Sequence, residues 1–388
     1  MKSIAEILGG CQMLLDISYD LQDIFEGYLG NEHRTFLHML RVIEEHAPPW
    51  ERAYVGRGRR AYAETPIIRA HLAGHFFQCP TTVSLRQRLQ SDSTLRQICG
   101  FSTVPSEATF SRRYTKYAKH RIMERTLAQI VTEYHEGTLV GHISRDSTAI
   151  CARETPMNKK KDVAPKKNKR GRPKKGAEPQ KVPSRIEMQL SQSAEEALAE
   201  LNGECNWGCK RNSQGNRQYW KGYKLHLDVT DIGIPISAVV TGANVHDSQV
   251  AIPLEKMTEQ RVTHLYSLMD AVYDAQGIKE YITSKKRVAL INPNKRCKQE
   301  VPMDPAAKQR FKIRSTVERS NAHLKDWLLP SNILVRGHEK VTHCLMTGLF
   351  GCNQDFAVFH TTKTAGTDGV SRRAPNNSPF TRIRVLSS

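Results

Sequence analysis

GYKLHLDVTDIGIPISAVVTGANVHD, residues 222–247, carries the clearest strand pattern in the chain. Tyr223, Leu225, Leu227 and Val229 recur at every second position, the spacing at which side chains share one face of a strand. Asp231, Ile232 and Gly233 offer a turn, and the apolar run 234–240 follows, so a β-hairpin is expected. Working outward, 248–257 reads as a helix with Asp247 as its N-cap and 264–269 as a strand. A helix at 276–284 and a strand at 288–291 come next, and upstream 138–145 is strand-like. Strand, hairpin, helix, strand, helix, strand, helix is the order of a mixed α/β sheet covered by helices.

Before that sheet the chain reads differently. Leu21, Ile24, Phe25 and Tyr28, then Phe36, Leu37, Leu40 and Ile43, recur at three- and four-residue spacing, so residues 1–135 are expected to form an all-helical N-terminal domain. Short helical patterns at 83–89, 95–98 and 108–117 fit a helix-turn-helix unit. Ser106 would cap the last of them, which presents Arg112, Arg113 and Lys116 as DNA contacts. The competing reading is a plain helical bundle with a solvated basic face.

Lys and Arg total 58 against 39 Asp and Glu, a formal net charge of +19, which points to a polyanionic partner. Much of the excess lies in 157–185, rich in Lys, Arg, Pro and Gly and poor in large apolar residues, hence expected as a disordered basic insertion. Arg170 and Arg172, in an Arg-Gly-Arg-Pro run, suit minor-groove or general phosphate contact. Residues 361–388 read as a loose tail, leaving 136–360 as the second domain.

No run of about eighteen uncharged apolar residues occurs and no secretory signal opens the chain, so a cytoplasmic location with reduced thiols is expected for its 9 cysteines. Cys205 and Cys209 with His226 fall short of the four ligands a structural zinc site takes. His246 is a candidate for positioning substrate.

Phosphodiester chemistry on a hard divalent ion calls for carboxylates at the ends of core elements. Asp146 follows the strand-like run 138–145, and Asp270 follows the strand 264–269. In the expected helix 309–327, Phe311, Arg314, Glu318 and Lys325 are spaced by three, four and seven residues and share a face, which sets a carboxylate between two cations.

This spacing resembles the Y-x2-R-x3-E-x6-K signature of bacterial insertion-sequence DDE transposases, with Phe311 in the place of Tyr. Gly222 to His226 and Thr241 to Asp247 resemble the segments that precede the second acid in that family, and Met269 to Asp274 resembles its A-D-x-G-Y-D motif with Val272 in place of Gly. Asp146-Ser147-Thr148 is similar to its first motif, and the likeness spans roughly residues 70–355. The resemblance implies an RNase H-like core and two Mg2+ or Mn2+ ions held by Asp146, Asp270 and Glu318, with Arg314 and Lys325 gripping DNA phosphates. It also implies cleavage at element ends, strand transfer into target DNA, terminal inverted repeats as partner, a homodimer, and a bacterial, nucleoid-associated location. The alternatives are a non-catalytic DNA-binding descendant of a transposase and an RNase H-like nuclease that does not join strands.

Overall fold

The computed structural model describes residues 29–46, 62–156, 183–211, 214–294 and 303–352. Residues 157–182 of the basic insertion, with Arg170 and Arg172, the tail and the pattern from Leu21 to Tyr28 lie outside the described residues, while Arg185, expected at the insertion's end, already opens a helix capped by Ser184.

Among the described residues, six helices precede the sheet: α1 (Asn31–His46), α2 (Glu64–Phe76), α3 (Thr82–Ser91), α4 (Ser93–Cys99), α5 (Glu107–Lys119) and α6 (Ile122–Tyr134). Their starts follow from local chemistry. Thr81 and Ser84 form a reciprocal capping box at α3, Asp92 caps α4, and Ser106 accepts from the Thr109 amide at α5. Gly100 ends α4 with φ at 87°, a left-handed conformation that glycine adopts without a Cβ penalty.

Six strands form one sheet: β1 (Leu139–Cys151), β2 (Asn206–Arg211), β3 (Arg217–Thr230), β4 (Pro235–Gly242), β5 (Thr263–Met269) and β6 (Val288–Ile291). The central β1 runs antiparallel to β3 and parallel to β5, β6 extends the parallel side, and β2 and β4 both pair with β3. The expected hairpin is β3–β4, turning at residues 231–233. Helices α7 (Arg185–Ser191), α8 (Ala194–Ala199), α9 (Ser248–Glu259) and α10 (Gln276–Ser284) pack together on one side. The chain then runs through α11 (Pro305–Phe311), a 3-10 turn (Lys312–Arg314), α12 (Ser315–His323), a π-turn (Leu324–Leu328) and α13 (His338–Cys352). This mixed sheet with flanking helices is the RNase H-like architecture the sequence led us to expect.

Two boundaries differ from the sequence reading. β1 does not stop at residue 145 but continues to Cys151, because its second half pairs with β3 as far as Gly222. The helix expected over 309–327 is regular only in pieces, with the 3-10 turn tightening it before α12 and the π-turn widening it after. The buried cluster also runs without a break from Phe36 and Leu40 in α1 through Leu127 in α6 to Leu225, Leu227 and Val229 in β3, with Val317, Leu345 and Leu349 completing it. The N-terminal helices thus share a core with the sheet.

Between β1 and α9 lies a buried ionic network. Arg145, 1% exposed, donates from Nε and Nη2 to Asp228 at 2.7 and 2.6 Å, from Nη2 to Glu255 at 2.8 Å and from Nη1 to the Ala251 carbonyl at 2.8 Å. Thr258 donates to Asp228, and His264 and Ser267 meet Glu255. Burial alone would raise the Glu255 carboxyl, but Arg145, His264 and Arg287 outweigh it and hold it at about 2. Removing one partner would leave buried charge uncompensated, at a cost of about 3–5 kcal/mol. Arg145→Met is therefore expected to lower unfolding stability by about that much in urea denaturation. A loss under about 1 kcal/mol would show that the network does not hold the sheet to α9.

Candidate active site

Asp146 and Asp270 are brought together by strand register. The parallel ladder between β1 and β5 ends at Ser144 opposite Leu268, and each acid lies two residues further on. Two residues is one full pleat, so both keep the face of Ser144 and Leu268, on strands about 4.8 Å apart. Asp270 stands just past the end of β5 and accepts from the Val272 amide at 3.0 Å, which anchors it at the start of a 3-10 turn (Ala271–Tyr273). Asp146 is mid-strand, opposite Leu227.

α12 lies across the same face. The Ser144 hydroxyl donates to the Ile313 carbonyl, the Ser320 hydroxyl to the Gly233 carbonyl, and Val317 is fully buried. The neighbouring Glu318 is left on the rim, with its side chain 51% exposed. It is bonded to Arg314 one turn earlier, whose guanidinium lies 5.8 Å over the Phe311 ring. The expected row Phe311, Arg314, Glu318 thus survives the 3-10 turn, and Phe311 supplies a ring face rather than a hydroxyl.

The charges act on one another. Burial pushes the Asp146 carboxyl up to about 6; the Ser147 amide and Arg314 work against that, while Asp270 and Glu318 add to it. Asp270 is raised as well, first by burial and then by Asp247 and Glu318, against the Val272 amide and Arg314. Lys325 is lowered by burial and by Lys210, and it feels Asp146. Asp146 is therefore within electrostatic reach of Asp270, Glu318, Arg314 and Lys325, and these groups together define the cleft. Among the described residues, no three His, Cys, Asp or Glu side chains stand close enough to hold a metal ion in this arrangement. Glu318 faces Arg314 instead.

Asp247 occupies the N-cap position of α9 without making a side-chain cap bond, contrary to the sequence expectation. It accepts from Lys224 Nζ at 2.8 Å and from the Ser147 hydroxyl, next to Asp146. His226, Lys224 and Ser147 hold it below the usual carboxylate range against its burial. The Tyr273 hydroxyl, buried and without a hydrogen-bond partner among the described residues, lies in the field of Asp247, Asp146 and Asp270. The motif containing Tyr273 was visible in the sequence; its closeness to Asp247, 26 positions earlier, was not.

Other sequence candidates fall elsewhere. Arg113 and Lys116 both bind Glu64 at 2.6 Å, while Arg112 stays exposed. His246 bonds to Ser248, at the start of α9. Cys205 bonds to the Glu154 carbonyl and His226 to Thr241, so they do not converge as zinc ligands. Six cysteines, Cys79, Cys99, Cys151, Cys205, Cys209 and Cys344, are free thiols.

The family model described as Transposase DDE domain matches residues 146–350, just over half of the chain. It begins at Asp146 and takes in Asp270 and Glu318. A second model, Transposase domain (DUF772), matches residues 30–116, the stretch of α1–α5. No curated protein and no solved structure matches the chain. With one transposase model over the sheet and its acids and another over the helices before it, the chain belongs to the DDE transposase family.

Proposed function

We propose that this transposase cuts DNA at element ends and joins the freed strand to target DNA, using Asp146, Asp270 and Glu318 as carboxylate ligands for two Mg2+ or Mn2+ ions. The observation that carries this reading is the register that sets Asp146 beside Asp270, with Glu318 in the field of both. The donor set suits hard cations, since all three groups offer carboxylate oxygens. The raised Asp146 and Asp270 also mark a cleft holding more negative charge than Arg314 neutralises. Divalent ions bound there would supply an activated water or hydroxyl and a stabilised leaving oxygen.

The chain's own groups prepare the cleft. Arg314 is the cation that exchanges partners: turning to a DNA phosphate, it frees Glu318. Lys325, in the field of Asp146, takes a neighbouring phosphate. Asp247 is neutralised by Lys224 and serves as a positioning residue, holding Ser147 and through it Asp146. Arg112 on α5 is the exposed candidate for holding duplex DNA away from the cleft, and two copies on paired element ends is the assembly this reading expects.

Glu318→Gln is expected to lower Mn2+-dependent nicking of duplex DNA by more than about 100-fold while leaving DNA affinity unchanged. Equal nicking by both proteins would remove Glu318 from the mechanism. A second test is electrostatic. Asp146 has a folded value of about 6, above its ordinary 3.8, so its ionised form costs stability above pH 6 and that cost fades as pH falls toward 4. Without metal, Asp146→Asn should therefore stabilise the protein at pH 8 by about 1–2 kcal/mol, allowing for partial exposure, and by much less at pH 4. Mn2+ should raise the melting temperature of the unaltered protein but not of Asp146→Asn. Identical melting curves for the two proteins at pH 8, with and without Mn2+, would contradict both statements.

A further inference from the structure

Where β1 and β4 end, β3 does not. Cys151 of β1 pairs with Gly222 and Gly242 of β4 with Tyr223, but β3 begins five residues earlier, at Arg217, and over that stretch its ladder partner is β2. The result is a two-stranded ribbon standing beyond the core sheet. At Gly222 the strands cross so closely that an added Cβ would strike the Ile150 carbonyl, and φ is 150°. Residues directly opposite in an antiparallel ladder share a face. Trp207 with Lys221, Cys209 with Tyr219, and Arg211 with Arg217 make one face; Gly208 with Trp220 and Lys210 with Gln218 make the other.

The two faces differ. Trp220 lies over Gly208, donates its indole N–H to the Tyr223 carbonyl and is buried. On the opposite face, Trp207 is 58% and Tyr219 62% exposed, and they are diagonal neighbours. Arg211, Arg217 and Lys221 flank them, and residues 206–222 contain no acid. The ribbon stands near the acids through its other face, where Lys210 acts on Lys325.

Two open aromatic rings set among cations suit a partner that offers flat apolar faces and negative charge together. Unpaired nucleotides do so, through base stacking and phosphate contact, whereas a duplex turns base edges rather than base faces toward a ribbon. We infer that the Trp207–Tyr219 face of the β2–β3 ribbon is a stacking platform for unpaired nucleotides of a DNA strand leaving the acidic cleft. This inference rests on the DNA reading above. From Asp146 to Cys151 is about 17 Å along β1, so the platform engages nucleotides some way from the reacting phosphodiester.

The test is binding without metal, so that no cleavage intervenes. One probe is a blunt duplex of about 30 base pairs, and the other is the same duplex with an unpaired tail of about eight thymidines. The unaltered protein should bind the tailed probe about tenfold more tightly than the blunt one. The double substitution Trp207→Ala with Tyr219→Ala should erase that preference and leave blunt-duplex binding and the melting temperature unchanged. Cys209, exposed and opposite Tyr219, should lose reactivity toward N-ethylmaleimide with the tailed probe and keep it with the blunt one. No tail preference, or a preference that survives the double substitution, overturns the platform. An equal loss of affinity for both probes also overturns it, in favour of a groove contact. Failure to bind either probe would count against the DNA reading itself.

Discussion

Arg145 is shut away from water against two carboxylates, and its side chain settles which way β1 faces. Alternation along a strand sends neighbouring residues to opposite faces, so a guanidinium locked toward α9 obliges Asp146 to point into the cleft beneath α12. A slip of one residue would leave Asp228 and Glu255 without their cation and turn Asp146 into the interior. The ionic network is thus the registration device for the acid beside it. The parallel ladder with β5 then carries that registration across to Asp270.

The two faces of the sheet treat charge in opposite ways. Behind β1, Asp228 and Glu255 are answered by Arg145, with Arg287 and His264 adding to Glu255, so that Glu255 stays ionised well below the usual carboxylate range. In front, among the described residues, Asp146, Asp270 and Glu318 share the guanidinium of Arg314, and Asp146 and Asp270 hold their protons more firmly than free carboxyls do. The first arrangement is complete and rigid. The second is short of positive charge, which is what a cleft intended for cations requires while it stands open.

Much of this was legible from residue order. The hairpin announced itself through a period of two, β5, β6, α9 and α10 were expected close to where they stand, and the spacing of Arg314, Glu318 and Lys325 picked out one side of a helix before any fold was known. What escaped were features set by distant partners. Asp247 reads as a cap by position, but Lys224 and Ser147 claim its carboxylate. β2 offers no apolar alternation, being half of a ribbon whose outer face meets solvent, so period alone could not find it. Arg113 and Lys116 look like free cations on a basic helix until Glu64, about fifty residues earlier, folds back to meet them.

The placement of α13 bears on how the molecule is made. This helix packs against α2, α5, α6 and β4, with His343 against Tyr114 and the Tyr114 hydroxyl bonded to the Lys340 carbonyl. Helices α2, α5 and α6 therefore wait for α13, made some two hundred residues later, before their apolar surface is sealed. A message broken short of codon 338 would yield a polypeptide whose amino-terminal half stays unfinished and open to proteolysis. Burial of that seam thus ties a stable fold to translation through α13.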